Sequence, residues 1–201
     1  AQGNEILLAV VNGQCVIPAG VTTFYVRTVT TADAVYEGSE TFTLTATLDP
    51  TVVGGSASGD ASIVDDGTGT VYTGGVDPVN GPVTSPQGTP DNDQPAVTVA
   101  GPALPVSEGS PAVFTVTLGN AFEAATPIDL ALSNGSAETG DYAPLGDVFY
   151  LVNGVETPLQ VVNGQYVIPA GVTTFYVRTA TTADTVYEGP EPFTLTATFA
   201  D

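Results

Sequence analysis

The feature that most limits the fold of this chain is an internal repeat. Residues 12–48 align without gaps to residues 163–199, and 31 of the 37 positions are identical at an offset of 151 residues. Such similarity between two parts of one chain indicates a recent duplication within a tandem array. The fold must therefore use the same segment twice.

The two copies of the repeat have different flanking segments. Strand-like sequence from Pro95 to Tyr150 precedes the second copy, whereas "GSASGDASIVDDG" follows only the first. We therefore predict that residues 1–66 are the C-terminal part of a first repeat and that residues 96–201 are a second repeat lacking its last strand. Two interpretations fit this arrangement. The chain is a window from a longer array, or it is a subunit whose open strand sites are filled by neighbouring chains.

Seven runs in the second repeat alternate apolar with polar residues and end in turn residues, which is typical of strands. They are residues 96–101, 112–119, 128–134, 147–154, 165–171, 173–180 and 192–199. In the second of these runs, Phe114, Val116 and Leu118 are expected on one face and Thr115 and Thr117 on the other. The Asn-Gly pairs in "VNGVET" and "VNGQY" predict tight hairpins.

The fold class expected from these runs is all-β with almost no helix. Short antiparallel strands broken by frequent turns are typical of an immunoglobulin-like sandwich, here present as tandem copies. Residues 67–95 are rich in Pro and Gly and are predicted to be an extended linker between the sandwiches.

The charge of the chain is strongly negative. There are 22 acidic residues against two arginines, which gives a formal net charge of −20. Such a surface repels phosphate backbones, so nucleic acid is not expected as a partner. The acidic excess could serve solubility or reflect a salty habitat. Its clustering in loops favours binding of hard cations, chiefly Ca²⁺.

Cysteine content and hydropathy exclude two further classes of protein. The single cysteine, Cys15, excludes an internal disulfide framework, and its repeat counterpart is Tyr166, so we expect a surface or half-buried position. No apolar run is long enough to cross a membrane, and membrane insertion is not expected. No signal peptide is visible, so an export signal is expected outside this sequence.

The acidic residues lie where strands meet loops. In the second repeat they fall into three predicted loops, and in the first repeat they precede and follow the last strands. The candidate ligands are Glu108, Asp141, Asp184, Glu188 and Glu191 in the second repeat, and Asp33, Glu37, Glu40, Asp65 and Asp66 in the first. Loops at one end of a sandwich come together, so these carboxylates would repel one another unless a cation lay among them.

The phrases that carry these acids resemble a known family. "VSEGSPAVFTVTL", "GSAETGDYAP", "TADTVYEGPEPFTLTAT" and "GDASIVDDG" are similar to the successive landmarks of Calx-beta domains. The resemblance covers nearly all of residues 96–199 and most of residues 1–66. It implies Ca²⁺-binding sandwiches of the kind found in sodium–calcium exchangers and in tandem arrays of large bacterial surface adhesins.

The resemblance also implies a ligand set. The cation ligands of the family would fall on Glu108, Asp141, Asp184 and Glu191 in the second repeat, and on Asp33, Glu40, Asp65 and Asp66 in the first. Glu37 and Glu188 are either ligands, or residues that bind the backbone of the glycine turn or face solvent.

Four further charged residues have two interpretations each. Asp91 and Asp93 either form turns in the linker or join Glu108 in a cation site. Arg27 and Arg178 stand at equivalent strand positions, where a surface salt bridge is expected.

The sequence does not favour an enzyme. It has no His and no Lys, one cysteine that the repeat does not keep, and no serine in a nucleophile-elbow context. Repeat and resemblance together predict a structural or adhesive segment of an extracellular fibrous protein, secreted or on the cell surface, in a context such as bacterial adhesion and biofilms. Ca²⁺ would stiffen its loop clusters and domain junctions.

The expected partners are neighbouring repeats of the same or identical chains, and a cell-surface or matrix ligand in an adhesin. The alternative function is that of a filament subunit which polymerises by β-strand exchange between neighbouring chains.

Overall fold

The structure, a computed structural model, describes residues 6–71, 76–77, 81–82, 88–138 and 140–199. All regular structure in these residues is β, and they contain no helix. The strands are β1 Ala9–Val11, β2 Gln14–Val16, β3 Val35–Tyr36, β4 Glu40–Thr47, β5 Ser56–Ile63, β6 Val76–Asp77, β7 Gly81–Pro82, β8 Val97–Ala100, β9 Pro111–Leu118, β10 Ala121–Phe122, β11 Thr126–Asn134, β12 Val148–Val152, β13 Val155–Pro158, β14 Gln160–Val162, β15 Gln165–Ile168, β16 Thr174–Ala180 and β17 Phe193–Phe199. The all-β prediction is therefore confirmed.

The chain divides into two compact units. The first comprises Ala1–Asp33 and Ser39–Asn92, and the second comprises Ala34–Gly38 and Asp93–Asp201. In the residues that the structure describes, no helix is long and apolar enough to cross a membrane.

The second unit contains two antiparallel sheets. One has five strands in the order β13-β12-β16-β9-β8, and the other has four in the order β14-β15-β11-β17. Side chains from both sheets form a single buried cluster, which includes Val116 and Phe175 from the first sheet and Ile128 and Leu195 from the second. This arrangement is consistent with a β-sandwich.

The core follows from the alternation along the strands. Phe114, Val116 and Leu118 of β9 are buried, and the two threonines between them are half-buried and exposed. All seven runs predicted as strands contain a strand in the structure. The short strands β10, β13 and β14 were not among them, because β10 has only two residues and the other two are parts of hairpins.

Two hairpins of the second unit turn at the predicted Asn-Gly pairs. Asn153 and Gly154 join β12 to β13 with φ of 53° and 81°, and Asn163 and Gly164 join β14 to β15 with φ of 53° and 87°. Positive φ at both central residues is the geometry of a type I′ turn, which asparagine and glycine adopt most readily.

In its described residues, the first unit contains only two-stranded sheets: β1 pairs with β2, β4 with β5, and β6 with β7. The last of these pairs lies inside the predicted linker. The segment "TTFYVRT" at residues 22–28 forms no strand, although the identical segment at residues 173–179 contributes most of β16. Phe24 is 40% exposed, whereas its counterpart Phe175 is fully buried.

A short piece of the first repeat belongs to the second unit. Strand β3 pairs in parallel with β10, and the ring of Tyr36 meets that of Phe122 edge-on at 5.7 Å between centroids. The counterpart in the second repeat, Tyr187, is 96% exposed. The predicted loop "TADAVYEG" thus contains a strand in its first copy and none in its second.

The expectations for the arginine of β16 and for the cysteine are confirmed. Arg178 binds the carboxylates of Asp147 at 3.1 Å and Glu156 at 2.6 Å, and its guanidinium lies 4.6 Å from the centroid of the Phe149 ring. The hydrogen bonding of the Arg178 guanidinium to the Glu156 carboxylate, which accepts, is the main cause that raises the pKa of Arg178. Cys15 is exposed on β2.

The two copies of one phenylalanine provide a test of this fold. We expect Phe175→Ala to lower the free energy of unfolding by about 3–5 kcal/mol, because it opens a cavity in the core. Phe24→Ala should lower it by about 1 kcal/mol or less, because its ring is partly in solvent already. Urea unfolding followed by circular dichroism measures both losses. Equal losses would contradict the burial described here.

Candidate metal centre

Three loops of the second unit are joined by hydrogen bonds at one end of its sheets. The hydroxyl of Thr181, just after β16, donates to the carbonyl of Ser110, just before β9, at 2.8 Å. The N–H of Thr182 donates to the carbonyl of Asp141, in the loop after β11, also at 2.8 Å. Residues that are distant in sequence are thereby held side by side.

Three carboxylates meet at this junction. One oxygen each of Asp141, Glu188 and Glu191 lies within 4.8 Å of the others. Asp141 and Glu191 are half-buried, whereas Glu188 is exposed. We call these three residues the carboxylate cluster.

Two acids of the carboxylate cluster, Glu188 and Glu191, have raised pKa values. Loss of hydration beside the neighbouring groups is the main cause that raises the pKa of the exposed Glu188, and the charge of Asp141 adds to it. The pKa of Glu191 is raised first by its hydrogen bond with Asp141 and then by partial burial. Each effect disfavours the ionised form, so the cluster favours either a proton or a cation among its oxygens.

A cleft of about 1070 Å³ contains the carboxylate cluster. The carboxyl-bearing residues Glu108 and Asp184 also line it, so the five residues predicted as ligands in the second repeat border one cavity. Asp184 accepts a hydrogen bond from the N–H of Val186 at 2.7 Å, which occupies one of its oxygens within its own loop. The rest of the cleft is largely apolar and includes Leu104, Val106 and Phe114 among its lining residues.

Sequence reasoning missed one residue that acts on this site. Glu138 lies in the same loop as Asp141, and its N–H donates to Asp141 Oδ2 at 2.5 Å. Its charge contributes to the raised pKa values of Glu188 and Glu191. The phrase "GSAETGDYAP" contains both acids three residues apart, and that spacing was the available signal.

The donor set fits a hard cation. Carboxylates bind singly or through both oxygens, and Ca²⁺ takes six to eight oxygen ligands in irregular geometry. The cluster contains no His or Cys, the donors that softer metals such as Zn²⁺ prefer. Three carboxylates supply part of such a coordination sphere.

The candidate ligands of the first repeat are more dispersed. Asp33, Glu40, Asp65 and Asp66 belong to the first unit, whereas Glu37 lies in the second. Within the described part of the chain, none of these five is in a group of three carboxylates at ligand distance. Their role as ligands stays a prediction.

Asp66 holds a turn. Its Oδ1 accepts hydrogen bonds from the N–H of Thr68 at 2.9 Å and from the hydroxyl of the same residue at 2.5 Å. These bonds lower the pKa of Asp66. Asp66 also bridges to Asn92 in an isolated β-bridge, and the carbonyl of Asp91 accepts from the N–H of Gly67 at 2.7 Å.

The two remaining linker acids lie in different units. Asp91 is in the first unit, and its carboxylate accepts from the N–H of Asn92 at 3.1 Å, as in a turn. Asp93 is in the second unit and is buried, and its carbonyl accepts from Asn120 at 3.0 Å.

Comparison of the chain with protein-family models, curated proteins and solved structures found no match. The Calx-beta resemblance therefore rests on the sequence phrases and stays an interpretation.

The raised pKa values give a pH dependence. Glu188 and Glu191 bind protons more tightly in the folded state, so their ionisation lowers stability at neutral pH. This loss disappears as the pH falls through the raised values towards the ordinary value of 4.5. In a chelating buffer, we expect the double variant Glu188→Gln/Glu191→Gln to melt above the wild type at pH 7.

The difference between the melting temperatures of wild type and double variant should close as the pH approaches 4.5. Glu123→Gln, an exposed site outside the cluster, is the control and should show no such trend. A double variant that melts below the wild type at pH 7 would contradict the repulsion inferred here.

Proposed function

We propose that this chain is a structural or adhesive tandem-repeat segment of an extracellular fibrous protein, of Calx-beta type, whose loop clusters are held by Ca²⁺. The observation that carries the proposal is the approach of Asp141, Glu188 and Glu191 to within 4.8 Å of one another. The repeat of residues 12–48 at 163–199 supports an array of like units rather than a single receptor domain.

The mechanism is electrostatic. Without a cation, the carboxylates of the cluster repel, and the loops that carry them are pushed apart. With Ca²⁺ bound, carboxylates from the loops after β11 and β16 share one ion, so the two loops are fixed to each other. The hydrogen bond from Thr181 to Ser110 extends this restraint to the loop before β9.

The expected affinity for Ca²⁺ supports an extracellular location. Extracellular modules bind Ca²⁺ with dissociation constants of about 10⁻⁴–10⁻³ M. A site of three carboxylates, one of them exposed, suits that range better than the nanomolar range of cytosolic buffers. We therefore place the protein outside the cell, at a cell surface or in a matrix, with neighbouring repeats as its first partners. The proposal includes no catalytic step.

Calcium titration tests the proposed function. At free Ca²⁺ about 100 times the dissociation constant, we expect the melting temperature of the wild type to rise by roughly 5 °C or more over its value in chelator. Glu188→Gln/Glu191→Gln should lose most of this rise, because it removes two of the three carboxylates. Differential scanning calorimetry gives both values.

Glu123→Gln is again the matched control and should keep the full rise. An equal rise in wild type and double variant would place the calcium elsewhere. No rise in the wild type would contradict the proposed function.

A second candidate function is that of a filament subunit built by strand exchange. It is favoured by one observation, the position of β17 at the edge of its sheet. Exposed strand edges are templates for pairing with another chain.

A further inference from the structure

Within the described residues, strand β17 is hydrogen-bonded to a neighbouring strand on one side only, and β8 of the other sheet lies near it without pairing. Strand β17 pairs with β11, and no described strand pairs with its other side. The internal repeat identifies β17 with β4 of the first unit, because residues 40–47 and 191–198 are equivalent at the offset of 151. Strand β4 does have the missing neighbour: it pairs with β5 over eight residues.

The backbone groups that face the open edge of β17 can be identified. The N–H of Gly135 donates to the carbonyl of Pro192 at 3.0 Å, so the backbone of Pro192 faces β11. Antiparallel strands alternate the direction of these groups, so Thr194 also faces β11, and Phe193 and Leu195 face the open edge.

In the first unit, the equivalent backbone groups of β4 form hydrogen bonds with β5. The N–H of Leu48 donates to the carbonyl of Gly55 at 2.8 Å, next to the end of the ladder. By alternation, Phe42 and Leu44 bond with β5. These two residues are the repeat counterparts of Phe193 and Leu195. The open edge therefore has its backbone N–H and C=O groups at the same positions as those that pair with β5 in the first unit.

Proline does not block this edge. Pro192 replaces Thr41 of the first copy and lacks an N–H, but at this position the N–H would point towards β11.

The cleft lies next to the start of β17, and Glu191, Pro192 and Phe193 line it. Its apolar surface offers burial to an additional strand. The side chains of β5 are exposed along nearly its whole length, and β4 is its only neighbour strand in the described residues. Moving β5 from β4 to β17 would exchange one ladder for an equivalent one and would bring the end of β5 beside the residues of β17 that line the cleft.

We propose that the open edge of β17 binds residues 56–66 of a second copy of this chain, in the register of the β4–β5 pair. Phe193 would lie opposite Ala61, and Leu195 opposite Gly59. The proposal deepens the strand-exchange function above and rests on it. Within one chain β5 is already paired with β4, so we take a second copy as the source of the strand, and the sedimentation experiment below decides between the two sources.

The register also connects strand binding to the cation site. Ile63 would lie opposite Glu191, a member of the carboxylate cluster, and the donor chain continues from there into Asp65 and Asp66. The donor strand thus brings two further carboxylates towards a site already crowded with negative charge. Ca²⁺ and the donor strand therefore favour each other's binding, and by linkage the effect is equal in both directions.

A peptide of residues 54–68 tests the edge. With peptide bound, we expect amide hydrogen exchange to slow at Phe193 and Leu195 and to stay unchanged at Thr194, which already faces β11. No slowing at the two edge amides would overturn the proposal.

Two proline variants of the peptide are matched controls. Ala61→Pro removes an N–H that faces the ladder and should weaken binding at least tenfold. Ser58→Pro removes one that faces away, because Ser58 alternates with the bonded positions, and should bind nearly as well as the parent peptide. Equal binding of both proline variants would overturn the register.

Calcium separates this proposal from the cation site itself. We expect Ca²⁺ to tighten peptide binding about tenfold, within the usual range of coupling, and the peptide Asp65→Asn/Asp66→Asn to lose this gain. If the peptide binds equally in Ca²⁺ and in chelator, the coupling is wrong and the edge site stands. If Ca²⁺ stabilises the chain but no peptide binds, the cation site stands and the edge site is wrong.

The second copy as occupant is tested by sedimentation of the whole chain. We expect association that increases with concentration and with Ca²⁺, and competition by the free peptide. A chain that stays monomeric at millimolar concentration while it binds the peptide would overturn the second copy as the occupant.

Discussion

Backbone pairing between strands is the constraint on which the rest of this structure depends. A strand has no internal hydrogen bonds, so its sequence becomes a strand only where neighbours satisfy its N–H and C=O groups. The segment "TTFYVRT" demonstrates this directly. At residues 173–179 it lies between β9 and β12 and buries Phe175, whereas at residues 22–28 none of the described strands pairs with it and it forms no strand.

The carboxylate cluster depends on the same constraint. The loops that carry Asp141 and Glu191 are adjacent because β11 and β17 pair along nearly their whole length, and the bridge from Tyr142 to Thr181 holds the loop after β16 beside them. In the described residues of the first unit, where sheets have two strands each, the corresponding acids form no such cluster. The carboxylate cluster is therefore a property of an assembled sheet pair rather than of the repeated sequence.

The carboxylate cluster lies beside the start of the open edge of β17. In our proposals strand binding and Ca²⁺ binding favour each other, because a strand that completes the sheet adds negative charge and a cation offsets it. Assembly would then respond to Ca²⁺ without any moving domain. Tyr36 packs against Phe122, whereas its repeat counterpart Tyr187 is exposed. The burial of equivalent residues in the two copies therefore depends on the residues around them.

The all-β class, the seven main strands of the second unit and the two Asn-Gly hairpins were predictable from the sequence, because alternation and turn chemistry act locally. The sequence also indicated which acids border the cleft, since the repeat placed them at strand ends, although it missed Glu138. Only the tertiary structure decided that Asp141, Glu188 and Glu191 meet, that Asp66 holds a turn, and that one copy of a repeated segment is a strand and the other is not. Those outcomes depend on which strands are present to pair, and local sequence does not contain that information.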